Sequence, residues 1–343
     1  MLSIRNLKVE FHLREGTVRA VNGVDLDVPA KATLGVVGES GCGKTMMALA
    51  VLGILPPRGR AVDGNVFLSP AEGEPSAPPT DILSLPPRGK AIRAIRGKEI
   101  AMIFQEPMTA LSPVHTVGNQ IMESILLHQK VTRREARSRA VELLGRVGVP
   151  NPKMRVRSFP HELSGGLRQR SMIAKALSCQ PRLLIADEPT TALDVTIQAQ
   201  ILELLLELQE EMGMSVMMIT HDLGVIAETA DEVAVLYMGR VVERASAVSL
   251  FASPLHPYTQ GLLASVPILG KADGERLASI PGSVPDPFTR LPGCAFHPRC
   301  TRCIPGTCDD GEPPKLIESS PGRWVACHLH CNDQTNPDRS TST

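Results

Sequence analysis

The sequence predicts an α/β fold, because two apolar strands each end in a polar loop and the first leads directly into an apolar helix. Residues 33–37 (TLGVV) have the pattern of a buried strand, and residues 46–55 that of a helix. A second apolar strand, residues 183–186, ends at Asp187 and Glu188. Sheets of this class present ligand-binding groups at the ends of their strands, so we expect a site there.

The segment between the first strand and its helix, GESGCGKT, is typical of a phosphate-binding loop. Its glycines let the backbone curl so that successive N–H groups point at a β-phosphate, and the helix N-terminus adds its positive dipole end. Lys44 is expected to reach the β- and γ-phosphates, and Thr45 to ligate Mg²⁺. The predicted nucleotide-binding residues are Gly38, Glu39, Ser40, Gly41, Cys42, Gly43, Lys44 and Thr45.

The two carboxylates at the end of the second strand supply the remaining chemistry of nucleotide hydrolysis. Behind a phosphate-binding loop, Asp187 is expected to hold Mg²⁺ through water and Glu188 to polarise a water for attack on the γ-phosphate. Without the upstream loop, the same residues would be an ordinary strand that stops at a charged turn.

A second anion cradle is predicted between these motifs, at residues 163–170 (LSGGLRQR). The hydroxyl of Ser164 and the amides of Gly165 and Gly166 stand at the start of an apolar helix, where backbone N–H groups bind anions. Two cradles for one triphosphate make sense if each comes from a different subunit.

Taken in order, these motifs resemble those of the ATP-binding subunits of ABC transporters over nearly the whole chain. The further matching features are Phe11, Gln105 after the strand AMIF, the turn ALD at 192–194, and His221 after the strand VMMIT. The resemblance implies a P-loop ATPase with a helical subdomain, an antiparallel β subdomain and a small Cys-rich C-terminal extension.

The resemblance also implies roles for single residues. Phe11 is expected to stack on adenine. Gln105 is expected to be a hinge that bonds Mg²⁺ or the attacking water when the γ-phosphate is present, and His221 to contact that phosphate. Ser164, Gly165 and Gly166 would act on the partner subunit's ATP. The catalytic set is then Glu188, His221 and Gln105, and the Mg²⁺ ligands are Thr45, Gln105 and Asp187.

A closer likeness is to the subunits that drive import of oligopeptides, dipeptides or nickel, through EPMTALSPVHTVGNQI, ADEPTTALDVTIQAQIL, HPYTQGLL and the Cys-rich tail. It implies two permease subunits, a second ATPase subunit, an extracytoplasmic solute-binding protein, and a place on the cytoplasmic face of the membrane. The signature ends in Leu167, where this subfamily often has Met. The sequence leaves the solute open, and also whether the second ATPase subunit is a copy or a related chain.

The expected domains are an ABC ATPase domain at 1–255, with its helical subdomain at about 106–180, and a Cys-rich extension at 256–331. Residues 332–343 are polar and predict a disordered tail, and residues 69–79 predict a mobile surface loop. Paired strands are expected at 4–13 and 17–28 and within 232–244, and a strand at 215–220. Helices are expected at 117–128, 133–147, 197–212 and 256–266, with little regular structure beyond.

Six of the eight cysteines follow residue 290, and a cytosolic chain keeps them reduced, which favours a metal site over disulfides. The resemblance selects Cys294, Cys300, Cys308 and Cys327 as ligands, with Cys303 as an extra candidate. We expect a [4Fe–4S] cluster, with a structural Zn²⁺ as the alternative and free thiols as the remaining possibility. Either metal would hold a Pro-rich tail together.

Composition argues against several other functions. The chain has 36 basic and 36 acidic residues, so it lacks the basic excess of a nucleic-acid-binding protein. No apolar run approaches the roughly 20 residues that span a bilayer, and residues 1–11 lack a signal peptide's apolar stretch. The main alternative is a soluble ABC ATPase acting on nucleic acid or ribosomes, but such proteins usually carry a coiled coil, a second ATPase domain or basic insertions. A small-molecule kinase would leave the LSGG segment without a role.

Overall fold

The computed structural model describes residues 1–70, 77–106, 110–191, 193–265 and 280–330, and its strands form two sheets. The strands are β1 (Leu2–His12), β2 (Thr17–Val28), β3 (Thr33–Val37), β4 (Gly59–Leu68), β5 (Thr80–Asp81), β6 (Ile100–Ile103), β7 (Leu183–Asp187), β8 (Ser215–Ile219), β9 (Glu232–Tyr237), β10 (Arg240–Ser246), β11 (Ile317–Ser320) and β12 (Arg323–Val325). The helices are α1 (Lys44–Val51), α2 (Lys90–Ile95), α3 (Val117–His128), α4 (Arg133–Arg146), α5 (Pro152–Arg155), α6 (Gly165–Leu177), α7 (Val195–Met212), α8 (Leu223–Thr229), α9 (Ala247–Ala252) and α10 (Pro257–Ala264).

The smaller sheet is antiparallel, in the order β2-β1-β4-β5. The larger sheet has the order β11-β12-β10-β9-β3-β8-β7-β6. Its strands from β9 to β6 run parallel, whereas β10, β12 and β11 are joined antiparallel at one edge. The parallel strands β3, β7 and β8 therefore end at the same edge, where the loops after them meet.

Strands β3 and β8 are buried on both faces, which explains their continuous apolar sequences. On β3, Leu34 and Val36 face a core shared with the smaller sheet and α1, while Val37 joins the core on the opposite face. On β8, Met217 and Met218 divide between the two cores in the same way. Because packing on both faces holds these strands in place, it fixes where the loops after them begin and in which direction they leave the sheet.

The region between β6 and β7 is helical in its described residues, as predicted. Helix α3 has the predicted bounds, and α4 begins at the predicted residue and ends one residue early. Both begin with side-chain caps: Thr116 accepts from the Asn119 amide, and Thr132 forms a reciprocal capping box with Glu135. These helices pack with α6 in the core on the helical side of the larger sheet.

The C-terminal extension, meaning here the described residues from 256 onward, differs from the expectation of little regular structure. Strands β11 and β12 pair with each other, and β12 pairs with β10 through Glu243 and Arg244. The buried Glu243 carboxylate accepts hydrogen bonds from the amides of Leu255 and His256, which holds the start of α10 against β10. The extension is thus continuous with the main sheet. Most of the predicted 69–79 loop and all of the predicted 332–343 tail lie outside the described residues.

Candidate nucleotide-binding and catalytic site

The loop between β3 and α1 curls tightly enough that two of its residues must be glycine. Gly38 and Gly43 have φ angles of 153° and 103°. A Cβ on Gly38 would lie 2.2 Å from the Leu236 carbonyl oxygen, and one on Gly43 would lie 2.0 Å from that of Ala20. The loop is therefore clamped by backbone from the strands beside it, and its shape fits the predicted phosphate cradle.

Lys44 is buried at the centre of this loop. Its Nζ donates to the carbonyl oxygens of Gly38 at 2.7 Å and Glu39 at 3.1 Å. Ser40 and Gly41 are exposed at the loop's tip, whereas Cys42 is buried, and burial raises the pKa of its thiol. Cys42 thus fills space beneath the loop.

The predicted Mg²⁺ pair is brought together by the structure. The hydroxyl of Thr45 at the start of α1 donates to Asp187 Oδ1 at 3.2 Å. Burial raises the pKa of Asp187 to about 6, against the opposing effect of the Thr45 hydrogen bond. A buried carboxylate beside a hydroxyl offers the oxygen ligands that Mg²⁺ prefers, so Thr45 and Asp187 fit Mg²⁺.

Glu188 is the point on which the predicted catalytic residues converge. Gln105 Nε2 donates to its Oε2 at 2.8 Å, and His221 Nδ1 donates to its Oε1 at 3.0 Å. The Thr191 hydroxyl also donates to Oε2, at 2.9 Å. Burial alone would raise the pKa of Glu188, but the hydrogen bonds from His221 and Thr191 outweigh it and lower the pKa below its ordinary value.

The backbone of Glu188 is held as firmly as its side chain. Its φ is 46°, an unusual value for a residue other than glycine, and its amide donates to the Ile219 carbonyl of β8 at 2.8 Å. The end of β7 thus turns sharply and aims the carboxylate between the loops that follow β6 and β8. The sequence motifs did not point to Thr191, although its spacing of three residues after Glu188 is visible in the sequence.

The LSGG segment forms the N-terminus of α6. Ser164 caps the helix by accepting from the Leu167 amide at 3.4 Å, and both Ser164 and Gly165 are exposed. A buried residue of the same helix, Gln169, donates from Nε2 to the carbonyl of Pro189, directly after Glu188. The sequence did not predict this link, which joins the signature helix to the catalytic turn.

Phe11 lies on β1 opposite Gly59 of β4 and is half-buried against the core of the smaller sheet. A Cβ on Gly59 would lie 2.7 Å from the ring, so the glycine makes room for it. The predicted stacking of Phe11 on adenine remains a prediction.

The four cysteines selected as metal ligands come near one another in the extension. The Cys294 amide donates to the Cys308 carbonyl at 2.8 Å. Burial raises the pKa of both Cys294 and Cys327 to about 11, and neighbouring thiols, including those of Cys300 and Cys308, add to the shift. Within the described residues, however, no group of three or more His, Cys, Asp or Glu side chains is arranged to hold a metal ion. The [4Fe–4S] cluster and its Zn²⁺ alternative therefore stay predictions.

Comparison with known proteins agrees with the order of these motifs. The model of the ABC transporter family matches residues 21–191, and that of the oligopeptide/dipeptide transporter C-terminal region matches residues 242–308. The probable peptide ABC transporter ATP-binding protein y4tR of Sinorhizobium fredii is 49% identical over 95% of this chain and 94% of its own length. The oligopeptide transport ATP-binding protein AppD of Bacillus subtilis is 46% identical over 96% of this chain and 97% of its own.

Solved structures show the same fold. The dimeric ATP-binding cassette MJ0796, in a post-hydrolysis state with ADP and Pi, aligns with a TM-score of 0.62 at 25% identity, over 72% of this chain and 99% of that one. CbiO1 of Clostridium perfringens, part of an ABC transporter complex, aligns with a TM-score of 0.59 at 26% identity, over 74% of this chain and 90% of that one.

Among the described residues, no helix is both long enough and apolar enough to cross a membrane. The phosphate loop, the paired carboxylates, the signature helix and the two matching family models together place this chain in the ABC transporter family, as an ATP-hydrolysing ATP-binding protein of the oligopeptide and dipeptide transporter branch.

Proposed function

We propose that Glu188 polarises the water that hydrolyses ATP, while Lys44 binds the β- and γ-phosphates and Thr45 and Asp187 hold Mg²⁺. The observation that carries this proposal is the convergence of Gln105 and His221 on the Glu188 carboxylate, next to the Thr45–Asp187 pair. Bound Mg²⁺ would offset the charge of the phosphates.

The environment of Glu188 suits it to polarise the attacking water rather than to remove a proton from that water completely. Because its pKa is lowered, the carboxylate stays ionised but is a weak base. His221 and Gln105 each donate one hydrogen bond to it, and either donor can turn to the γ-phosphate or the water when ATP binds. Gln105 follows β6 and leads into the helical region. A movement of Gln105 toward a new hydrogen-bond partner would therefore also shift α3 and α4.

The exposed Ser164 and Gly165, together with Gly166, would complete the site of a partner subunit. A helix N-terminus whose first residues face solvent can bind the γ-phosphate held by another chain. We therefore propose two composite sites, each using one subunit's phosphate loop and the other's signature. The similar MJ0796 cassette is a dimer in its post-hydrolysis state, which supports this arrangement.

Peptide import is the transport function that we propose, in agreement with the names of the relatives. The chain would act at the cytoplasmic face with two permease subunits and a second ATPase subunit, and a solute-binding protein outside would deliver the peptide. Residues 1–255 would form the ATPase domain, with the helical subdomain at about 106–180. The matches give no support to the alternative of a nucleic-acid or ribosome ATPase.

A groove on the helical region is a suitable contact surface for a permease. It has a volume of about 650 Å³, and four arginines contribute to its lining: Arg133, Arg134, Arg137 and Arg157. Beside it, Leu127 on α3 is 73% exposed. We propose that a short cytoplasmic helix of the permease docks here, with an apolar face for Leu127 and carboxylates for the arginines.

This docking surface can be tested by co-purification. Arg134→Glu and Arg137→Glu together should reduce recovery of the permease from detergent extracts while nucleotide binding by the isolated chain stays unchanged. Arg60→Glu, on the smaller sheet, is the matched control. Undiminished recovery of the permease with the double variant would place the contact elsewhere.

Transport itself is tested in liposomes that contain the permease pair, both ATPase subunits and the binding protein. Uptake of a labelled dipeptide or oligopeptide should require ATP inside the vesicle and should stop with Glu188→Gln. Uptake of nickel but not peptide would change the proposed solute. Uptake of neither, in a complex that hydrolyses ATP, would contradict both solutes.

We also propose that Cys294, Cys300, Cys308 and Cys327 bind a metal, as a [4Fe–4S] cluster or alternatively Zn²⁺. Their nearness in the extension supports this, since the thiols of Cys300 and Cys308 help to raise the pKa values of both Cys294 and Cys327. Anaerobic purification with iron, sulfide and zinc analysis tests it. About four irons and four sulfides per chain would indicate the cluster, one zinc would indicate the alternative, and neither metal would reject the site.

A further inference from the structure

A residue of the C-terminal extension reaches the phosphate loop from 260 positions along the chain. Arg299 forms a two-pronged ion pair with Glu39, the second residue of the loop: Nη1 lies 2.7 Å from Oε2 and Nη2 lies 3.0 Å from Oε1. The Arg299 side chain is only 4% exposed. Planar, two-pronged guanidinium–carboxylate pairs fix both distance and direction.

The guanidinium of Arg299 is itself held in place. Its Nε donates to the Pro281 carbonyl at 3.1 Å, and its central carbon lies 5.9 Å from the ring centres of both Tyr237 and Phe296. Tyr237 belongs to β9 of the main sheet, and Phe296 belongs to the extension. Arg299 therefore joins a rigid sheet strand to the loop.

A second contact from the extension holds the backbone of the same loop residue. The Glu39 amide donates to the hydroxyl of Tyr258 at 2.9 Å. Tyr258 lies on α10, is fully buried, and packs against Tyr237 and Phe296 with ring centres 4.6 Å and 5.4 Å apart. Arg299 thus holds the side chain of Glu39 and Tyr258 holds its backbone, and both of these residues contact Tyr237 and Phe296.

Glu39 in turn contacts the lysine that is expected to bind phosphate. Its carbonyl accepts from Lys44 Nζ at 3.1 Å, and the Cys42 amide donates to that carbonyl at 3.3 Å. A shift of Glu39 would therefore move the lysine and the amides of the loop together. Groups that are already in place before a ligand arrives lose less entropy when it binds.

We propose that Arg299 is a positioning residue for ATP binding: through Glu39, the C-terminal extension holds the phosphate loop in the shape that receives the triphosphate. This inference rests on the proposed role of the loop and of Lys44. It gives the extension a task in the ATPase cycle and makes nucleotide affinity depend on the folded state of residues 280–300.

The test is calorimetric titration of the full chain with a non-hydrolysable ATP analogue and Mg²⁺. Glu39→Gln and Arg299→Lys should each raise Kd about tenfold, since one loses the charge and the other the two-pronged geometry. The fraction of chains that bind should stay unchanged. The double variant should be no weaker than the weaker single variant, because both changes break one contact. Glu211→Gln, which breaks the Arg146–Glu211 pair on α4 and α7, is the matched control and should bind like the parent.

Three results would overturn the inference. The first is a Kd within about twofold of the parent in both single variants. The second is a lowered binding fraction with unchanged Kd, which would indicate that the pair only stabilises the fold. The third is full additivity in the double variant, which would mean that Glu39 and Arg299 act separately. Lys44→Ala in the same assay separates the two proposals: if it also binds normally, the assignment of the loop itself fails.

Discussion

His221 donates from Nδ1 to Oε1 of Glu188 across 3.0 Å, and so joins the loop after β8 to the turn after β7. His221 is largely exposed, whereas the Glu188 side chain is only 13% exposed. We therefore expect the exposed ring to exchange its partner when a nucleotide enters, while the carboxylate keeps its position. The neighbouring positions of β7 and β8 in the sheet thus bring His221 to the proposed catalytic carboxylate.

Lys44→Ala should weaken nucleotide binding itself. The alanine removes the charged group at the centre of the loop, so we expect affinity for Mg–ATP to fall at least about tenfold. Equilibrium binding of a fluorescent ATP analogue measures this. Met46→Ala, on the same helix and half-buried against the core shared with the smaller sheet, serves as the control. Unchanged affinity in Lys44→Ala would refute the phosphate-loop assignment.

Asp187 should make stability depend on pH in a defined direction. Its folded pKa of about 6 is above the ordinary value of 3.8, so between these pH values the folded state binds more protons than the unfolded state. Stability from this residue is therefore complete below about pH 4 and is lost as pH rises through 6. Asp187→Asn should be more stable than the parent by on the order of 2 kcal/mol above pH 6.

Chemical denaturation of the parent and Asp187→Asn at several pH values, without nucleotide, measures this difference. The two curves should converge near pH 4 and separate toward pH 6. A constant difference across the range would show that Asp187 titrates normally and that burial does not act on it as described.

The composite sites can be tested with Ser164→Arg and Lys44→Ala in assembled pairs of this chain. The two copies carry different affinity tags, and purification through both tags selects the mixed pairs. With one change in each chain, both lesions fall on one composite site, and the other site should keep measurable hydrolysis. With both changes in one chain, each site carries a lesion, and hydrolysis should be lost. The opposite pattern would mean that Ser164 acts on its own chain's nucleotide.

The sequence predicted those parts of the site that are encoded locally. The loop before α1 and the carboxylates after β7 follow buried strands, and a strand followed by glycines or acids is visible in a short window. Contacts between distant segments were not predictable in this way. The Gln169–Pro189 hydrogen bond and the Glu39–Arg299 pair depend on how elements pack, and neither residue of the latter pair has a local pattern that points to the other.

The extension illustrates the same limit. Its Pro- and Cys-rich sequence gave no alternation that indicated β11 or β12, because these short strands are stabilised by pairing with other strands: β12 pairs with β10, and β11 pairs with β12. The structure places the selected cysteines near one another, but the metal that they were expected to bind stays a prediction.

The most direct test of the account is single-turnover hydrolysis and equilibrium binding of ATP by Glu188→Gln in the assembled transporter. Glutamine keeps the size of the side chain but removes the charge that polarises water, while Lys44, Thr45 and Asp187 are untouched. We expect ATP affinity close to that of the parent, hydrolysis slower by at least about 100-fold, and subunits that stay closed on one another. Near-normal hydrolysis by this variant would contradict the assignment of Glu188 as the catalytic residue.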